Sequence, residues 1–307
     1  MSFSDEFDDE FDGISDEFGE LSPAERHDTM ASVLSQFGDT MRDNNKRIFS
    51  RVLDMIAETE GDDKLHLDML ATHLETFNPR EVEIMSWDMP EVTSLSEYRA
   101  RSTLGDDDGL CDPTTEADGV IARYLSDLET EVRKHASRDL LGDLVEDLQL
   151  PAEFVEFMEH TSGVTYPNLD KTMFVCTFAT VQYCPWVPAH YRAKEHTKPL
   201  DKLCEFASCE DFEVAAGWQA GSNDMNSWIH YLLCKDYDEP DEPWQWRIFT
   251  MNTSTADGDC FNSLREFLTW YASAYDWVHW KYVQMSVESL HRRCMKAAAA
   301  EAEEDQE

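Results

Sequence analysis

Gln149-Leu150-Pro151-Ala152-Glu153-Phe154-Val155-Glu156-Phe157-Met158-Glu159-His160-Thr161-Ser162-Gly163 is the stretch whose reading decides the fold. Pro151 stands at a helix start, where its missing N–H leaves no bond unmade. Phe154, Phe157 and Met158 fall at i, i+3 and i+4, which makes one apolar stripe. Ser162-Gly163 then supplies the glycine that helix C-termini favour. The spacing predicts a short helix with one buried face.

Upstream, Ile121, Leu125, Leu128 and Val132 give a helical stripe, and Leu140, Leu141, Leu144, Val145 and Leu148 give another. Downstream the texture changes. Thr172–Phe178, Phe212–Val214 and Trp228–Cys234 are β-branched and aromatic, and Trp244–Phe249 alternates with period two. Asp238-Glu239-Pro240-Asp241-Glu242-Pro243 reads as an exposed hairpin loop between the last two. Ser263-Leu264-Arg265-Glu266 is a capping box that opens a helix carrying Leu264, Phe267, Leu268, Tyr271 and Tyr275. Helices, then strands, then a helix predict an α+β fold, with a central, mainly antiparallel sheet flanked by helices.

These features resemble the SUKH superfamily, which includes fungal cell-wall assembly regulators and bacterial toxin-immunity proteins. The resemblance covers about residues 120–280. Leu150, Pro151, Phe154, Phe157 and Gly163 match the family's Leu-Pro-x-x-Phe-x-x-Phe helix, with Ser162 where asparagine is usual. Phe212–Trp218 followed by Trp228–Cys234 looks like its central hairpin, and Ser263–Leu268 like its final helix. The resemblance implies a binding module without catalytic residues.

The rest of the chain divides into four parts. Residues 1–20 repeat Ser4-Asp5-Glu6-Phe7, Asp9-Glu10-Phe11 and Ser15-Asp16-Glu17-Phe18, and read as an acidic disordered tail. Acids punctuated by single aromatics are also the composition of segments that dock on partners, so Phe7, Phe11 and Phe18 are candidate anchors beside the plainer reading of a solvating tail. Residues 21–87 form a helical module, opened by the capping box Ser22-Pro23-Ala24-Glu25. Residues 88–119 read as a linker, because Pro90, Ser94, Ser96, Gly105, Gly109 and Pro113 break each periodicity. A domain over 120–285 follows, and 286–307 reads as a frayed helix and acidic tail.

Net charge is −39. Such a chain repels phosphates and anionic lipids, so neither nucleic-acid nor membrane binding is expected, and a protein partner with a basic surface is. No apolar run is long enough to span a bilayer, and the first residues lack the basic and apolar regions of a secretion signal. The eight cysteines form no CxxC pair and read as reduced thiols in a cytosolic or nuclear protein.

Glu60-Gly61-Asp62-Asp63 lacks the alternating ligands of a calcium loop. Cys176, Cys184, His190, His196, Cys204 and Cys209 offer zinc donors, but at spacings that match no finger or ribbon. No nucleophile elbow, phosphate loop or dinucleotide fingerprint is present in the sequence. No cofactor, metal or catalytic residue is therefore expected.

Trp186, between Pro185 and Pro188, falls in a loop where a ring is an interaction anchor as readily as a packing residue. Trp218, after Gly217, is a second case. The leading expectation is a non-enzymatic adaptor or scaffold. An acidic immunity-type inhibitor that masks a basic toxin or nuclease is the alternative, and a zinc-supported enzyme ranks third.

Overall fold

The computed structural model describes residues 14–77, 92–103, 106, 108–111, 119–164, 177–178, 193–194, 196–205, 209–222, 227–239, 241–252, 258–273 and 280–304. The chain divides into two compact units. One comprises Met1–Val33, Cys111–Val164 and Cys176–Phe267, and the other Leu34–Leu110, Thr165–Val175 and Leu268–Glu307.

The first unit is α+β. Its strands are β1 (Ile14–Ser15), β2 (Thr177–Phe178), β3 (Phe212–Ser222), β4 (Ser227–Asp236), β5 (Trp244–Asn252) and β6 (Cys260–Phe261). They form one sheet in the order β1-β5-β4-β3-β2, with β6 also on β5. β2 to β6 pair antiparallel, and β1 alone runs parallel to its neighbour, with Ile14 opposite Trp244. The segment 14–20, which composition assigns to a disordered tail, therefore begins with a strand. Its acids obscure that role, because a two-residue strand leaves almost no periodic signal.

β3 carries two irregularities, between Val214 and Ala216 and between Gln219 and Gly221. The first turns the Ala215 carbonyl outward, where it accepts from Ser137 N at 2.7 Å. Gly217 lies between them because a side chain does not fit: a Cβ there would come within 2.6 Å of both Leu232 Cδ2 and the Tyr231 carbonyl.

Helices cover the sheet on both sides. α1 (Pro23–Ala57) contributes its first residues to this unit, followed by α4 (Val120–His135), α5 (Arg138–Leu141), α6 (Leu144–Asp147), α7 (Ala152–His160), α8 (Leu200–Cys204) and the start of α9 (Leu264–Ala272). Phe154 of α7 packs on Trp218 of β3 and Tyr231 of β4, with ring centroids 5.2 and 5.4 Å apart. Trp218 stacks on Tyr231 at 4.8 Å and meets Trp246 of β5 edge-on at 5.3 Å. Each such pair contributes about 0.5–1.5 kcal/mol beyond the burial of its apolar area. Leu232, Cys234 and Phe249 form a second cluster with Leu203 of α8 and with Cys209. Burial of both faces explains why Trp228–Cys234 is nearly continuous in hydrophobicity.

A buried ion pair fixes the β4–β5 hairpin. Nη2 of Arg247 donates to both oxygens of Glu242 at 3.1 and 3.0 Å, and its Nε donates to Asn262 Oδ1 at 3.0 Å. Glu242 Oε1 in turn accepts from Asp236 N at 2.7 Å. The six cysteines among the described residues are free thiols.

The second unit is helical. Ile48, Phe49, Val52, Leu53 and Ile56 lie on the remainder of α1, which continues unbroken from the stripe Met30–Met41. They pack with Leu65, Met69 and Leu70 of α2 (Asp63–Phe77), Leu95 and Tyr98 of α3 (Leu95–Arg101), and Val283, Val287 and Leu290 of α10 (Trp280–Glu304). Two segments thus differ from the sequence expectation. Ser94, read as a loop residue, accepts from Glu97 N at 3.2 Å and caps α3. The C-terminal part, read as frayed, carries buried residues on α10.

Candidate functional site

Side-chain chemistry concentrates along α7, and several contacts fix where that helix lies. Pro151 is extended (φ −57°, ψ 133°) and stands just before the helix, its carbonyl accepting from Phe154 N and Val155 N. The Ala152 N–H donates to Asp16 Oδ2 at 2.8 Å, and Asp16 Oδ1 accepts from Gly19 N at 2.9 Å. An acid from the third Asp-Glu-Phe repeat therefore caps α7, where the helix dipole favours negative charge. At the other end Thr161 is extended, and its hydroxyl donates to the carbonyl of Cys111 or of Gly163, at 2.7 and 2.8 Å. The positive φ falls at Gly163 (+131°), three residues past His160, the last residue of the helix.

Glu153 lies in the first turn and reaches into the fold. Its Oε2 accepts from Leu264 N at 2.9 Å, capping α9 from a distance, and its Oε1 accepts from the Tyr231 hydroxyl at 3.2 Å. Burial pushes its carboxyl up to about 7, opposed by the hydrogen bonds from Leu264 and Tyr231 and reinforced by the charge of Asp16. Burial, with the neighbouring Glu153 carboxylate, also holds Tyr231 well above the usual phenol range.

Glu156 and His160 lie one turn apart on α7, which puts them on one face of the helix. His27 approaches them from the first turns of α1, whose start is fixed by Ser22. Ser22 N donates to Glu25 Oε2 at 3.0 Å, and Glu25 N donates back to Ser22 Oγ at 3.4 Å. Arg26 ties the same turn to the Gly19 carbonyl at 3.2 Å.

Glu156 Oε1 stands 3.2 Å from His27 Nδ1 and 3.5 Å from His160 Nε2. The two imidazole rings stack at 4.3 Å with planes 30° apart. The three donor atoms all lie within 4.8 Å of one another. Glu156 is 8% exposed, whereas the His27 side chain is 61% exposed, so the cluster opens to solvent on one side only. His160 Nε2 is buried and makes no hydrogen bond among the described residues. Two imidazole nitrogens and a carboxylate converging on one point can hold a divalent cation or share a proton.

The residues singled out from sequence fare differently. Trp218 is wholly buried in the sheet, so it packs the core and offers a partner no surface. Phe18 is half-buried in the turn between β1 and α1. Phe7, Phe11 and Trp186 lie outside the described residues, as do Cys176, Cys184 and His190. Of the other zinc candidates, His196 Nδ1 pairs with the Tyr124 hydroxyl at 2.8 Å, while Cys209 lies 3.9 Å from the Cys204 carbonyl. The described members of that set are not gathered as metal donors.

The His27–Glu156–His160 cluster was within reach of sequence only in part. Glu156 and His160 stand at i, i+4 within the decisive stretch, but His27 is 129 residues from Glu156, and no local pattern links them. No helix among the described residues is long and apolar enough to cross a membrane. No family model, curated protein or solved structure matches this chain.

Proposed function

We propose that the chain is a non-catalytic protein–protein interaction module of the SUKH-like kind, an adaptor or scaffold in the cytosol or nucleus whose partners present a basic surface. The observation that carries this reading is the hairpin between β4 and β5. There Tyr237, 61% exposed, sits among Asp236, Asp238, Glu239 and Asp241 on a chain of net charge −39. An exposed tyrosine supplies a rigid apolar contact, and the surrounding acids steer a basic partner and select against acidic ones. The order of elements gives further support: a Leu-Pro-x-x-Phe-x-x-Phe helix, an antiparallel hairpin, then a helix opening at Leu264. Phe7 and Phe11, in the acidic segment leading into β1, are a second set of anchors by composition.

Affinity capture with the full chain, compared with Tyr237→Ser and with Phe7→Ala/Phe11→Ala, tests the reading. It predicts salt-sensitive partners held by the wild type and lost selectively from one variant, with both variants melting as the wild type does. Identical protein profiles for all three would contradict it. The same acidic hairpin also suits an immunity-type inhibitor that masks a basic nuclease. Inhibition of such an enzyme by the wild type, relieved by Tyr237→Ser, would favour that second reading.

A further inference from the structure

The geometry points to a binding site for a divalent transition metal of the zinc class, with His27 Nδ1, Glu156 Oε1 and His160 Nε2 as its three protein ligands. This inference stands apart from the interaction reading above and does not depend on it. Zinc bonds to imidazole nitrogen and carboxylate oxygen are about 2.0–2.1 Å long, which puts tetrahedral ligand atoms roughly 3.3–3.4 Å apart. Glu156 Oε1 lies 3.2 and 3.5 Å from the two ring nitrogens, so two of the three donor pairs are close to that spacing, and all three atoms lie within 4.8 Å of one another.

A second observation comes from His160. Its Nε2 is buried and makes no hydrogen bond among the described residues. Leaving a buried polar atom without a partner costs about 1–3 kcal/mol, and a metal satisfies it through the lone pair. The two imidazoles stack at 4.3 Å with planes 30° apart, so binding a shared cation requires the exposed His27 ring to turn its lone pair toward the centre. The donor set of two histidines and one glutamate fits zinc, and copper and nickel bind the same ligands.

The ligands rest on rigid supports. Glu156 and His160 are one turn apart on a helix held at its first turn by Asp16 and by the packing of Phe154. His27 sits near the capped start of α1. Three protein ligands leave a fourth position, and the solvent-exposed side, marked by His27, is where a water would take it.

Titration of tag-free, chelator-stripped full-length chain with Zn²⁺ and with Co²⁺ tests the site. One equivalent is expected to bind, and Co²⁺ should give the visible absorption of a tetrahedral nitrogen/oxygen site without thiolate charge transfer. His160→Ala and Glu156→Gln should each weaken binding by more than the ~10- to 100-fold typical of losing a residue that merely supports a ligand. His27→Ala alters an exposed side chain and should weaken binding at least ~10-fold while leaving the far-ultraviolet spectrum unchanged. Thiolate charge transfer with Co²⁺ would place the metal on cysteines and overturn the proposal. Affinity unchanged in folded His27→Ala, or no stoichiometric binding by the wild type, would overturn it too.

Discussion

α7 carries two glutamates three residues apart, one in its first turn and one at its centre, and the protein treats them in opposite ways. Glu153, at the first turn, faces hydrogen donors: the Leu264 N–H and the Tyr231 hydroxyl. Glu156, one turn on, faces two imidazole nitrogens, one of them buried without a hydrogen bond. The first environment completes itself with protein atoms and is structural. The second sets two imidazole nitrogens within 3.5 Å of one carboxylate oxygen, a group of side chains that can exchange a proton for a cation. Residue type and helix are the same at both positions; what differs is that the neighbours of Glu153 can only donate to it, whereas an imidazole can donate its N–H or, once that proton leaves, offer a lone pair.

Phe154 sits between the two glutamates and anchors the helix that carries both, so its loss should have the largest effect. Phe154→Ala removes the ring that meets Trp218 and Tyr231, and should destabilise by about 3–5 kcal/mol in chemical unfolding. Loss of less than about 1 kcal/mol would mean that the aromatic cluster does not hold α7 on the sheet.

Glu153→Ala comes next. At about pH 5 it should cost about 2–3 kcal/mol, since it removes a helix cap worth roughly 0.5–2 kcal/mol and strands a buried hydroxyl. An effect no larger than that of an exposed-site substitution would remove the structural role given to this end of α7.

The pH dependence sharpens the same contrast. Glu153 has its carboxyl raised to about 7 from an ordinary value of 4.5, chiefly by burial. Between those values the folded chain keeps a proton that the unfolded chain has released. Its contribution to stability is therefore fully present below about 4.5 and is lost as pH rises through about 7. Glu153→Gln abolishes this titration, so the variant should gain on the wild type as pH is raised from about 5 to about 8. Unfolding midpoints that run parallel across that range would contradict the assignment.

His27→Ala should have the smallest effect on stability in the absence of metal, within about 0.5 kcal/mol, because its side chain is 61% exposed. A loss above about 1 kcal/mol would give the cluster a structural role instead.

Much of the sheet unit was legible in sequence. Pro151, Phe154 and Phe157 mark α7, and the period-two pattern of Trp244–Phe249 marks β5. What escaped has identifiable causes. α3 begins with Ser94-x-x-Glu97, a capping signature hidden among serines that also read as loop residues. The apolar stripe of α10, Val283, Val287 and Leu290, straddles the boundary that an acidic, alanine-rich ending suggests at 285. β1 takes its stability from pairing with Trp244 and Gln245, a long-range contact with no local signal. Trp218 shows the reverse error: a glycine neighbour suggests a loop, whereas Gly217 is there to let β3 approach β4. The candidate metal ligands were half visible, as an i, i+4 pair of a common kind, and the partner that gives the pair meaning comes from another helix.

Nuclear magnetic resonance of the imidazoles during a Zn²⁺ titration tests the contrast between Glu153 and Glu156 most directly. Of the ten histidines, His27 and His160 alone should shift, completing at one equivalent, while the Leu264 amide bonded to Glu153 stays in place. Zinc that binds without moving His27 and His160, or that moves the Leu264 amide together with them, would contradict the account.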